Sequence, residues 1–261
     1  MNPIVLAPTT LMQAEPLDYI DIAARAGYDG IGLRLYPSPG MPFFPVVGDA
    51  ALMGNVKSAI KDAGIKVYDI LTCYIQPDLD LEAMKGAHEF GAEIGAGYGL
   101  VIGDDPDWDR MVQNFGTMCE NAAQFGLVLA LEAPVNRRAL TTTDLNLKLI
   151  KDSGVKNACI SIDPVQYFRS GSTVEDLKAI DPAMMPYTQL CDSIANELGV
   201  PYCMPGDGIL PLREMLDIMP AELPLSVEYH HRDDRYTFLA WATHVLDGTR
   251  RFLNQYYASK D

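Results

Sequence analysis

The sequence predicts an α/β protein built as a single (β/α)8 barrel. Three observations carry this. Short β-branched apolar runs alternate with segments of helical periodicity, Gly repeatedly closes a helix just before the next strand, and eight such runs fit into 261 residues, close to the roughly 250 residues typical of such a barrel.

The predicted strands are residues 4–7, 30–35, 65–71, 99–102, 127–132, 158–163, 187–191 and 225–229. Between the first two, Leu17, Ile20, Ile22 and Ala23 recur at helical intervals over 16–26, and Gly27 stops the helix. The same grammar returns over 50–63 before Gly64, over 108–125 before Gly126 and over 144–153 before Gly154. Parallel strands need crossovers of a dozen residues or more, and runs apolar throughout, such as LVLALE, suit strands covered on both faces. A doubly wound open sheet is the competing architecture, but GxGxxG does not follow an early strand and GxxxxGK[ST] is absent. No linker or low-complexity tract divides the chain, so residues 1–261 read as one domain. The Pro- and aromatic-rich segment 34–48 follows the second strand on the face where barrels carry their sites. It reads equally as a partial cover for a pocket and as an apolar plug beside the barrel mouth.

Composition narrows the function. Twenty Lys and Arg against 35 Asp and Glu give a net charge of −15, which offers neither the basic footprint of a nucleic-acid binder nor an attraction to anionic membranes. With 48% hydrophobic and 21% charged residues, the chain can bury a sizeable core. Five Cys without a CxxC pair read as reduced thiols in a cytoplasmic protein, and the opening residues lack the pattern of a secretory leader.

On a barrel, the last polar residue of each strand reaches the active-site face. In the second half these residues are Glu132 in LALEAP, Asp163 in SIDP, Gln189 in YTQLCD and Glu228 in SVEY. Asp163 before Pro164 also suits a helix N-cap. Glu caps poorly, and Glu132 and Glu228 end runs that should be buried, so a cation between them is the economical explanation.

The order and spacing of these residues, with AARAGYDGIGL near the start, resemble the xylose isomerase-like TIM-barrel superfamily in its sugar phosphate isomerase/epimerase branch. The resemblance covers essentially the whole chain. It implies that Glu132, Asp163, Gln189 and Glu228 hold a divalent metal and that Glu132 and Glu228 also act as an acid/base pair. The superfamily usually has His where Gln189 stands, although hydroxypyruvate isomerase-like relatives also use Gln. Gln166 likewise stands where many epimerases have a substrate-contacting His. An all-oxygen set suits Mn²⁺ or Mg²⁺ better than Zn²⁺.

The implied activity is isomerisation or epimerisation of a small ketose, keto-sugar or hydroxy-keto acid by proton transfer through a metal-stabilised cis-enediolate. Gln166, Asn136, Arg137, His230 and Arg34 are the candidate substrate contacts, with Arg138 beside them, while Asp192 supports the Gln189 loop and Asp207 shapes the turn in PGDG. Surface placement competes for each of Arg137 and Arg138, and a salt bridge competes for Arg34. His88 and His244 sit in helical patterns and read as structural, whereas one of His230 and His231 should face the pocket. A metal-dependent lyase acting on a related keto-sugar or dehydroshikimate-like substrate is the main alternative. An endonuclease IV-like enzyme is disfavoured by only four His and by the charge. A non-catalytic binding barrel is the third. The partner is then a small molecule, with no nucleic acid or membrane, and homo-oligomers remain open.

Overall fold

A computed structural model of the chain describes residues 2–137, 139–231 and 235–260. Eight parallel strands form the barrel: β1 (Ile4–Leu6), β2 (Gly30–Arg34), β3 (Lys66–Ile75), β4 (Tyr98–Gly103), β5 (Val128–Glu132), β6 (Ala158–Ile160), β7 (Thr188–Leu190) and, after the hairpin β8 (Asp192–Ser193) and β9 (Tyr202–Cys203), β10 (Leu225–Val227). Their order is β6-β5-β4-β3-β2-β1-β10-β7. The ladder is therefore open only between β6 and β7. There the Gln189 N–H donates to Ile162 O at 3.0 Å and Thr188 Oγ1 to the same oxygen at 2.6 Å, which brings the two edges together.

The helices are α1 (Pro16–Ala26), α2 (Ala50–Ala63), α3 (Leu81–Glu93), α4 (Trp108–Ala123), α5 (Thr143–Ser153), α6 (Pro164–Arg169), α7 (Val174–Lys178), α8 (Leu212–Ile218) and α9 (Phe238–Ala258). Asp49, Asp80, Asp107, Thr142, Asp163 and Thr237 each accept a backbone N–H at a helix start. At the other end, Gly27 (φ 91°) closes α1 in the left-handed conformation that residues with a Cβ avoid. No described helix is long and apolar enough to cross a membrane.

Strand alternation sorts side chains into two layers. Leu129 and Leu131 of β5 join the large core under the helices, whereas Ala130 packs with Leu71, Leu100 and Cys159 in a separate small cluster. Since successive strand side chains point to opposite faces, Glu132 lies on the Ala130 face and at the end of the strand. By the same alternation Ser161 and Asp163 continue the Cys159 face, while Gln189 and Glu228 fall opposite in phase to Leu190 and Val227 of the outer core.

Candidate active site

Glu132, Asp163, Gln189 and Glu228 are all buried, at 7%, 3%, 3% and 8% exposure. Three of them, Glu132, Gln189 and Glu228, open on one cavity of about 270 Å³, together with Asn136, Arg137, Gln166 and His230. The structure thus brings seven of the sequence candidates to one place. Met41, from the loop after β2, also lines the cavity, so this loop does cover part of it. Residues of the same loop, Tyr36, Phe43 and Pro45 among them, line a second, more apolar cavity of about 450 Å³.

The Glu132 carboxylate makes no hydrogen bond among the described residues. Burial raises its pKa well above the usual carboxylate range, Asp163 and Glu228 raise it further, and Arg137 offsets part of this. Glu228 Oε1 lies 2.7 Å from His230 Nε2, and the His230 ring stacks on Tyr202 with centroids 5.5 Å apart. Gln189 Oε1 is buried without a partner among the described residues.

Asp163 departs from the predicted arrangement. Its Oδ1 accepts from the Gln166 N–H at 2.9 Å and the Cys191 thiol at 3.1 Å, and its Oδ2 accepts from the Tyr202 hydroxyl at 3.0 Å. It is the N-cap of α6 and does not line the 270 Å³ cavity. Burial and the Glu228 charge still push its pKa up to about 6 against those three donors.

Gln166 is also committed to the protein. Its Oε1 accepts from the Val135 N–H at 3.1 Å and its Nε2 donates to the Tyr202 hydroxyl at 2.7 Å, while the side chain lines the cavity. Arg34 lines a neighbouring recess with Tyr19 and Phe44, and among the described residues it has no ion-pair partner. Asp192 accepts four backbone N–H groups, from Ser193, Gly206, Gly208 and Leu210, and so ties down the loop after β7. Asp207 is exposed near Arg251 at 4.0 Å; the turn assigned to it is shaped by Asp192. His231 bonds Tyr236 O and packs edge-on against Phe238 and Trp241, leaving His230 as the pocket residue. His88 is buried, and His244 stacks on Tyr236. Arg138 lies outside the described residues.

Sequence reasoning missed Tyr202, Tyr74 and Arg169, which also line the cavity. Tyr74 lies past the predicted end of the third strand because β3 runs on to Ile75. Tyr202 sits in a two-residue strand with no periodic signal, and Arg169 is the last residue of the six-residue α6.

Among the described residues, no three His, Cys, Asp or Glu side chains come together as a metal cluster. The donor chemistry nevertheless suits a hard cation. Among the described residues, the buried Glu132 carboxylate and the Gln189 amide oxygen have no hydrogen-bond donor, and Glu228 and Asp163 add negative charge beside Glu132 that Arg137 only partly offsets.

The family model described as xylose isomerase-like TIM barrel matches residues 20–254. Among solved structures, an IolI protein with a zinc atom is 16% identical with a TM-score of 0.80, over 97% of this chain and 99% of that one. The 3-keto-D-glucoside 4-epimerase YcjR from E. coli is 16% identical with a TM-score of 0.73, over 96% and 100%. A xylose isomerase-like TIM barrel/4-hydroxyphenylpyruvate dioxygenase fusion protein is 18% identical with a TM-score of 0.75, and 97% of this chain spans 44% of it. At these identities the likeness establishes the fold. No curated protein sequence matches the chain.

Proposed function

Because the chain belongs to the xylose isomerase-like TIM barrel family, we propose that it is a divalent-metal-dependent isomerase or epimerase of a small ketose, keto-sugar or hydroxy-keto acid. The observation that carries this is the pair Glu132 and Glu228. They come from opposite sides of the β6/β7 seam, open on one cavity, and have the unpartnered Gln189 oxygen between them in chain order.

Glu132, Gln189 and Glu228 would hold Mn²⁺ or Mg²⁺. Asp163, which its three donors leave with one acceptor site out of about four, would be the fourth ligand. Such an ion, when bound, would supply Lewis-acid stabilisation of charge developing on a substrate oxygen. Glu132 and Glu228 remove a proton from the adjacent carbon and return one. Burial and like charges hold Glu132 above the usual carboxylate range, the direction that favours its taking up a proton. His230, bonded to Glu228, fixes that carboxylate's orientation. Asn136 and Arg137 line the cavity and would receive substrate oxygens. All five Cys are free, in keeping with a cytoplasmic setting.

The test is a screen of ketoses, hydroxypyruvate and keto-sugar acids with Mn²⁺ in D₂O, reading deuterium in recovered substrate. Wild type is expected to exchange or isomerise at least one of them. Glu132→Gln and Glu228→Gln should each lower the rate by about a hundredfold or more, the scale of lost acid/base catalysis. Net loss of water from a substrate would replace the isomerase reading with the lyase one. Undiminished exchange in both variants would remove the assigned pair.

A further inference from the structure

Three arginines near the barrel mouth each leave a buried N–H without an acceptor among the described residues: Arg34 at Nη2, Arg137 at Nε and Arg169 at Nε. Arg169 uses its Nη2 on Ser193 Oγ at 3.1 Å and Val200 O at 2.8 Å, and so braces the β8–β9 hairpin. Arg34 and Arg137 are held far more loosely. Arg34 Nη1 reaches the Met41 thioether at 3.2 Å, and Arg137 Nη2 reaches the Tyr74 hydroxyl at 3.3 Å with its guanidinium 4.9 Å from the Tyr74 ring centre. Among the described residues neither forms an ion pair.

The two guanidiniums adjoin one cavity: Arg34 lies in the recess beside it, and the side chains they contact, Met41 for Arg34 and Tyr74 for Arg137, both line it. Arg137 also acts on Glu132, and Glu228 acts on Arg34, but neither carboxylate comes into contact to satisfy the free N–H groups. A sulfur is a weak acceptor and a phenol a modest one. A desolvated guanidinium with an unused N–H is costly alone and strongly favours a carboxylate or phosphate, whose oxygens match its fork. Met41 lines the cavity and is the flexible side chain that an incoming anion would displace from Arg34. The cavity, at about 270 Å³, suits a short substrate.

We propose that the substrate carries an anionic oxygen group, a carboxylate or a phosphate, which accepts hydrogen bonds from Arg34 and Arg137 beside Tyr74. This rests on the reading of the cavity as the site of a keto substrate, and it names the part of that substrate away from the reacting carbons.

Three probes with the same hydroxyketone head separate the cases: dihydroxyacetone is neutral, hydroxypyruvate has a carboxylate, and dihydroxyacetone phosphate has a phosphate. Calorimetric titration of chelator-treated protein removes any metal contribution and reads no turnover. At least one anion is expected to bind tenfold or more tighter than dihydroxyacetone, and which one does so identifies the group. Arg137→Met and Arg34→Met should each cut that preference severalfold by weakening the anion more than dihydroxyacetone, while Arg137→Lys retains part of it. Arg137 lies on a partly exposed loop, so its variants carry the test if Arg34→Met does not fold. Equal binding of neutral and charged probes, no anion binding at millimolar concentration, or a preference that survives in Arg137→Met each overturns the proposal. Isomerase activity on ketoses without anion preference would retire this inference and leave the functional reading standing, and the reverse result would do the opposite.

Discussion

A buried carboxylate unconnected with the cavity shows how much the barrel interior tolerates. Asp69 on β3 is 2% exposed, and one of its oxygens has no partner among the described residues. Burial pushes its pKa up to about 7, and the nearby Tyr187 hydroxyl offsets only part of that. The native state therefore binds this proton more tightly than the unfolded chain does. Stability from this residue is full below the unfolded value near pH 4 and is lost as pH rises through about 7. A rise of that size corresponds to about 4 kcal/mol as an upper scale. Asp69→Asn is expected to be close to wild type at pH 4 and more stable at pH 8, measured by urea denaturation at both pH values. A variant less stable than wild type at pH 8 would show that the charge is solvated or paired. His88 has the opposite sign: burial lowers its pKa to about 4, so its contribution is lost as pH falls from about 6.5 toward 4. Comparing Asp69→Asn with wild type cancels that background.

At the scale of elements, the short β8–β9 hairpin decides whether the site is assembled. It delivers Tyr202, whose hydroxyl accepts from Gln166 and donates to Asp163, and it is anchored by the four N–H groups on Asp192. Gly208 is the tight point, because a Cβ there would collide with Asp192 Oδ1 and lie 2.5 Å from the Ser193 carbonyl oxygen. Gly208→Ala should lower kcat/KM at least tenfold and cost about 1–3 kcal/mol as the carboxylate loses donors. Gly116→Ala inside α4 meets nothing within 4 Å and should be neutral or stabilising by up to about 1 kcal/mol. Equal effects of the two would mean that the hairpin is not held through Asp192. This hairpin also marks the limit of what is legible in the sequence. The α1 and α2 boundaries can be read because Pro or Asp opens each helix and Gly ends it, and apolar runs place all eight barrel strands. Glu132 and Glu228 are visible as acids ending apolar strands. Tyr202 is not, because its position depends on a tertiary anchor, and Asp163 can be a ligand or a cap with the same local sequence. Arg34 and Arg137 are visible as charges, but their unused N–H groups emerge only once the barrel closes.

For the molecule as a whole, the weak point in the barrel wall and the candidate metal donors coincide. Glu132 and Asp163 belong to β5 and the end of β6, on one side of the opening in the strand ladder; Gln189 and Glu228 belong to β7 and the end of β10, on the other. Without a cation, carboxylates on both sides repel across the seam, which the Gln189 N–H and Thr188 hydroxyl bridge through a single Ile162 oxygen. A divalent ion shared by these donors would reverse that sign and stabilise the closed wall. Ions that bind only the folded state raise stability by about 2.7 kcal/mol at a hundredfold excess over Kd, or roughly 5–10 °C in Tm for a domain of this size. Mn²⁺ or Mg²⁺ is therefore expected to raise the Tm of chelator-treated protein and to slow hydrogen exchange of the Gln189 amide more than that of Leu33 within the continuous β2 ladder. Gln189→Ala should lose most of the Tm gain, with exchange then followed at Leu190. Stabilisation of equal size in that variant, uniform slowing across the strands, or a response to Zn²⁺ alone would each separate the ion from the seam or from its oxygen donors.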